Sequence, residues 1–357
     1  MNAFETLPEQ DEAKRLLTAA LAEGPAHAYL FHGPQGSGKR RAGLLFAAAL
    51  LGDRDRVLRR AHPDLYVLEP LGDQIRIDPI RELRRDLHMR PFEADRRVYL
   101  VFGAHLMNED AADALLKDLE EPPDYAVVVL VADELGPLPE TIRSRCQAVP
   151  FRRLSQRAVK AHLAARGLAG EPLEVAARVA AGRLDRAERL LDEDGAKERA
   201  AVLDLARTVY LDESFDPARA ARRVEELAQR RGEKARAAVE AAALEGENPR
   251  EVEQRAKRAE RGAELEEILE ALDTLAGWYR DLVVVAAGAP SAVLNLDRLE
   301  ELEREGDSSR SPAAERAAEI VREVWRSFEF NVQPGLALEA LFVRLRRELR
   351  TLGAVPA

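Results

Sequence analysis

Eight residues constrain this chain more than any others. Gly33-Pro34-Gln35-Gly36-Ser37-Gly38-Lys39-Arg40 lies between a short apolar run, Ala28-Tyr29-Leu30-Phe31, and a stretch of helical spacing over 39–51. A glycine-rich turn leading from a strand into a helix lets backbone N–H groups close on phosphate oxygens, and the helix N-terminus adds positive partial charge. Gly33, Gly36 and Gly38 shape such a loop, and Lys39 stands where a lysine reaches the β and γ phosphates. Seven of the eight positions fit the phosphate-loop pattern, counting the free ones. Strand, loop and helix in this order predict a phosphate-loop α/β fold.

The eighth position does not fit. An active loop has Ser or Thr there, because the hydroxyl ligates Mg²⁺. Here it is Arg40, followed by Arg41. A guanidinium has no lone pair for a metal, and its charge repels one. The other half of the metal site is a buried apolar strand that ends in Asp, followed by a Glu that polarises water. The corresponding strand here, Arg97-Val98-Tyr99-Leu100-Val101, runs into Phe102-Gly103-Ala104-His105 without a carboxylate. Glu109 and Asp110, the nearest acids, fall in the next helix, beyond the hydrogen-bond reach that catalysis needs. The expectation is a degenerate site in which ATP or ADP binding stays open, hydrolysis is not expected, and no cofactor is required.

The rest of the chain follows from pattern. Residues 9–23 have helical spacing, Leu65-Tyr66-Val67-Leu68 reads as a strand, and Asp78-Pro79 opens a helix as N-cap and first helical residue. Val98–Phe102 and Ala126–Val131 are continuous β-prone runs. Such runs separated by helices indicate a parallel sheet covered on both faces. Beyond Leu154 the patterns turn helical, with breaks near Gly167-Leu168-Ala169-Gly170 and at Gly182. The fold class is therefore α/β over 1–154, a small helical lid over 155–196 and an all-α domain over 197–357. Within the last, 229–268 is dense in Arg, Glu, Lys and Ala and reads as a solvated helix or hairpin. Its interspersed signs argue against a DNA-binding role. Asp307-Ser308-Ser309-Arg310-Ser311-Pro312 reads as a flexible connection, and Trp278-Tyr279 and Trp325 as core or interhelical contacts.

Composition narrows the setting. With 357 residues, two or three domains are expected. A net charge of −10 opposes nonspecific nucleic-acid binding in bulk. Cys146 is the only cysteine, so no internal disulfide or multi-cysteine zinc site forms, and none of the six histidines has metal-ligand spacing. Cys146 itself reads as a small buried filler, with no histidine patterned to activate it. No apolar run approaches the roughly 20 residues of a membrane span, and the N-terminus lacks a signal-peptide pattern. A cytoplasmic chain is expected, with no metal and no membrane partner.

Further motifs carry a resemblance. His27-Ala28-Tyr29-Leu30-Phe31 and His62-Pro63-Asp64-Leu65 flank the phosphate-loop helix. Ala114-Leu115-Leu116-Lys117-Asp118-Leu119-Glu120-Glu121-Pro122-Pro123 follows the carboxylate-free strand, then Ser144-Arg145-Cys146. Near the C-terminus comes Asn331-Val332-Gln333-Pro334-Gly335-Leu336. In this order they resemble the clamp-loader branch of the AAA+ ATPases. The missing carboxylates and the Arg at position 40 resemble the delta prime kind rather than the hydrolysing gamma/tau kind. Asp185, in Gly182-Arg183-Leu184-Asp185, stands where active members keep a nucleotide-sensing Arg. Many relatives place four zinc-binding cysteines between the phosphate-loop helix and His-Pro-Asp; residues 52–60 here have none, so no zinc is expected.

The resemblance implies a bacterial DNA polymerase III assembly, itself a nucleotidyltransferase, acting in DNA replication. Gamma/tau and delta subunits are the implied direct partners, with a sliding clamp and primer-template DNA reached through the complex. Residues 197–357 would join a collar. Arg145 would act as an arginine finger on ATP in the neighbouring gamma subunit, while Lys117, Glu120 and Glu121 would serve packing and interface. Two other readings stay open from sequence: an active gamma/tau-like ATPase, and a stand-alone nucleotide- or DNA-binding AAA+ protein.

Overall fold

Ala126–Ala132 is seven residues of Ala, Val and Leu, every one buried. A strand can be apolar on both faces only if both are covered. In the computed structural model, which describes residues 3–70, 74–133, 135–241, 249–328 and 332–350, this strand is the middle of a parallel five-stranded sheet. Along the chain the first unit runs α1 (Asp11–Glu23), β1 (Ala28–His32), α2 (Lys39–Leu51), α3 (Arg54–Leu58), β2 (Leu65–Leu68), α4 (Ile77–Leu87) and β3 (Arg97–Phe102). It continues through α5 (Glu109–Glu120), β4 (Ala126–Ala132), α6 (Glu140–Arg143), β5 (Gln147–Pro150) and α7 (Gln156–Ala164). The strand order is β2-β3-β4-β1-β5.

Two apolar layers result. Val127, Val129 and Val131 pack with Leu17 of α1 and Leu45 and Phe46 of α2. Val128 and Leu130 pack on the other face with Leu83 of α4 and Leu115 of α5. The expected strands are all present, and the helix expected over 39–51 has those bounds. One boundary is corrected: α4 begins at Ile77 after Arg76, not at an Asp78 cap. Pro79 is tolerated in the first turn because the first four N–H groups of a helix have no intrahelical acceptor.

The chain divides into two compact units, the first holding residues 1–167 and 182–186 and the second the remainder. Among its described residues the second has helices as its only regular elements, the α-helices being α8 (Gly170–Val179), the end of α9 (Leu184–Arg189), α10 (Glu193–Leu211), α11 (Pro217–Ala241), α12 (Pro249–Ala286), α13 (Leu299–Glu305), α14 (Ser311–Ser327) and α15 (Pro334–Arg350). Its core includes Leu227, Leu272, Leu275, Trp278, Tyr279 and Leu341. Trp278 Nε1 donates to Tyr210 Oη at 3.1 Å, and Tyr279 Oη to the Ala206 carbonyl at 3.2 Å, so both rings serve the core as expected.

The charged stretch 229–268 forms the facing parts of α11 and α12, apart from 242–248, which lie outside the described residues. Gly232 is placed where a Cβ would meet Glu264 Cγ at 2.7 Å, so that position sets how closely the two helices approach. The expected flexible connection at 307–312 is instead a hydrogen-bonded turn. Asp307 Oδ1 accepts from Ser309 N at 2.8 Å and Arg310 N at 3.0 Å, and Pro312 already lies in α14. Asn331 lies outside the described residues. Among the described residues no helix is long and apolar enough to cross a membrane.

Candidate functional site: a filled phosphate loop and an arginine at the far edge

Residues 33–38 connect the carboxyl end of β1 to α2. Gly36 and Gly38 adopt positive φ (71° and 92°), and Gly38 is the N-cap of α2. Gly33 passes so close to β5 that a Cβ would sit 2.1 Å from the Phe151 carbonyl oxygen. The glycines thus do the conformational work the sequence assigns them.

Lys39 is where the site turns inward. Its side chain is 3% exposed, and Nζ forms an ion pair with Asp133 at 2.8 Å. The same ammonium donates to the carbonyls of Gly33 at 2.7 Å and Pro34 at 2.6 Å, with Ser37 Oγ at 3.3 Å. An ammonium has three N–H donors, and the loop with Asp133 takes them all. Burial pulls the lysine below its ordinary range, and Asp133 and Asp185 offset part of that. The sheet explains the pairing. β4 lies beside β1 with His32 level with Ala132, so Asp133 follows directly beside the start of the loop. His105 Nδ1 accepts from Asp133 N at 3.2 Å and holds that corner.

A second carboxylate faces the loop. Asp185 Oδ1 lies 2.1 Å from where a Cβ on Gly36 would be, with Arg183 Cβ at 2.8 Å from the same point. Leu184 N donates to the Gly36 carbonyl at 2.9 Å, pinning this segment to the loop. Burial pushes the Asp185 carboxyl upward, but bonds from Arg183 outweigh it and hold the group below its ordinary value. Phosphate oxygens would meet two negative side chains here. Gln10 joins the loop to β5, donating to the Ser37 carbonyl (3.1 Å) and the Arg152 carbonyl (2.6 Å) and accepting from Arg152 N (3.0 Å). No sequence signal pointed to Gln10, because its role follows from a positive φ of 60° just before α1.

Arg40, which follows Lys39, reaches the end of β3. The Arg40 guanidinium lies 5.0 Å from the centre of the Phe102 ring, and that of Arg60 lies 5.9 Å from it. Both pair with Glu69, at 3.1 Å and 3.0 Å. The side chain after the loop lysine thus stacks on Phe102, the last residue of β3.

Arg145 lies elsewhere. It follows α6 and precedes β5, at the amino ends of the strands, since Gln147 is level with Tyr29. Gly33 is four residues further along β1, about 13 Å at ~3.3 Å per residue, and Arg145 is two residues further back. Arg145 and the loop of its own chain therefore occupy opposite ends of the sheet. Nε of Arg145 donates to Glu120 Oε1 at 2.7 Å and Nη1 to the Thr141 carbonyl at 2.7 Å. Beside it, burial pushes the Cys146 thiol up to about 12, a filler rather than a nucleophile.

A parallel sheet in the order β2-β3-β4-β1-β5, with a phosphate loop between α2 and the β1 that flanks the central β4, defines a phosphate-loop α/β module of AAA+-like topology. Residues 9–155 match the family model described as "DNA polymerase III, delta subunit". The chain is 30% identical over 197 residues to subunit delta' of DNA polymerase III from Bacillus subtilis, covering 52% of this chain and 60% of that one. It is 36% identical over 199 residues to delta' of Pseudomonas aeruginosa, covering 50% and 60%. With the tau subunit of Bacillus subtilis it shares 31% over 170 residues, covering 44% and 30%. The chain resembles the delta prime subunits of bacterial DNA polymerase III, and each match spans 60% or less of those relatives' length. A gamma-subunit-related protein of Thermotoga maritima aligns over 95% of this chain and 100% of its own at 19% identity and TM-score 0.48.

Proposed function

We propose that this chain is a non-hydrolysing subunit of a bacterial clamp loader, helping to load a sliding clamp onto primed DNA. Arg145 serves in trans, on ATP held by a neighbouring gamma-type ATPase. The supporting observation is the separation of the two cations along the sheet. Lys39 is consumed by its own loop and Asp133, whereas Arg145 stands at the far edge, out of reach of that loop. An arginine placed against the charge developing on a transferring phosphoryl group is worth about 10³–10⁵ in rate. In this reading residues 155–196 are a lid and residues 197–357 join a collar with gamma/tau and delta subunits in the cytoplasm. The chain itself needs no cofactor, metal or zinc.

The purified chain alone should show Mg²⁺-dependent ATP turnover no higher than an enzyme-free blank. Turnover that disappears in Lys39→Ala would reverse the reading and make the chain an ATPase in its own right.

A further inference from the structure

Glu120 ends α5 and Arg145 precedes β5, and the two side chains meet at the amino edge of the sheet. Glu120 Oε1 accepts from both Nε and Nη2 of Arg145, the first at 2.7 Å. Nη1 donates to the Thr141 carbonyl at 2.7 Å, with a longer contact to Ser144 Oγ at 3.4 Å. A guanidinium carries five N–H donors in a fixed fork. Three are engaged in short bonds, which leaves one N–H on Nη2 and, on Nη1, one held only by the long contact to Ser144 Oγ. The pair sits in solvent, with Arg145 33% and Glu120 48% exposed.

We propose that Glu120 is a positioning residue for Arg145: its carboxylate grips the Nε–Nη2 edge and fixes the guanidinium in one placement, leaving the second N–H of each terminal nitrogen for phosphate. This rests on the reading that Arg145 acts in trans. An exposed ion pair contributes little to the stability of the fold, so the value of this one lies in placement. A long arginine side chain loses rotamer freedom when it engages a partner, and ordering it beforehand removes part of that cost. Placement also governs rate steeply, since a displacement of about 1 Å can cost a hundredfold.

The test uses the assembled complex of this chain with its gamma-type ATPase, delta-type subunit, clamp and primed DNA, at saturating subunit concentrations. In Glu120→Ala, kcat for ATP should fall about tenfold while KM stays within about twofold, the signature of an interaction used in the transition state. Glu120→Gln retains an oxygen acceptor for Nε and should recover most of the rate. The urea midpoint of the isolated chain should be the same for both variants and the parent. A Glu120→Ala complex as fast as the parent or faster, beside an inactive Arg145→Ala complex, would overturn the positioning role and leave the trans reading standing. Weakened assembly that accounts for the whole loss would make Glu120 an interface residue and also overturn it. Full turnover in Arg145→Ala would remove the trans reading and this inference with it.

Discussion

Two cations sit at opposite ends of one sheet, and their surroundings differ in kind. Lys39 is buried, paired with Asp133 and bonded to two carbonyls of its own loop. Arg145 is one-third exposed and held by a carboxylate that is itself half in water. Removing a buried charge leaves its partner unpaired in a poor solvent, whereas an exposed pair breaks at little cost. Lys39 is therefore built into the packing of its own loop, whereas Arg145 stays accessible at the sheet's other end. The difference is a contrast between stability and availability, and each can be measured apart from the other.

The largest effect within the chain should come from Lys39→Ala. Asp133 keeps 36% of its side chain exposed, which reduces the usual penalty for breaking a buried pair to about 1–3 kcal/mol. Urea unfolding would show this as a lower midpoint, and a midpoint equal to the parent's would mean Lys39 is not part of the scaffold. Arg145→Ala should change the same midpoint by less than about 1 kcal/mol, and a larger loss would erase the contrast.

The metal half offers a smaller test. Arg40→Ala gives up its stacking on Phe102 and its pairing with Glu69 at a partly exposed site, a loss of about 0.5–1 kcal/mol. Arg40→Thr introduces a hydroxyl that could hold Mg²⁺, yet ATP turnover by the chain should stay at the blank, because β3 still ends at Phe102, followed by Gly103, without a carboxylate. Turnover in that variant would show that a single residue, rather than two independent losses, retired the site.

The smallest expected effect concerns pH. The Asp185 carboxyl is held below its ordinary 3.8 in the folded chain. Between that depressed value and 3.8 the unfolded chain binds more protons, so stability is fully present above 3.8 and is lost as pH falls through the folded value. Asp185→Asn should therefore lose less stability than the parent on acidification through this range, as followed by urea midpoints. Parallel pH profiles for the two would remove Asp185 from the set of charges that matter at the loop.

Much of this was legible from residue order. Continuous apolar runs announced β3 and β4, and the glycines announced the turn between β1 and α2, because local geometry needs those residue types. The absence of a carboxylate after β3 was equally plain. What sequence did not show were the pairs that these side chains form. Lys39 meets Asp133 only because β4 lies beside β1 with Ala132 level with His32. Arg40 meets Phe102 only because α2 runs back over β3. Residue order places Glu120 in packing and interface, and its bond to Arg145 depends on where α5 ends relative to β5. Strand order and register bring such partners together, and neither is written in a local pattern.

The most direct test compares Arg145→Ala and Lys39→Ala, each in the assembled complex with primed DNA, by ATP turnover. The account predicts a loss of about 10³-fold for the arginine variant and turnover within about twofold of the parent for the lysine variant, once it is shown to be folded. Collapse of the lysine variant with an unaffected arginine variant would contradict it, because the working cation would then be the one buried in the loop.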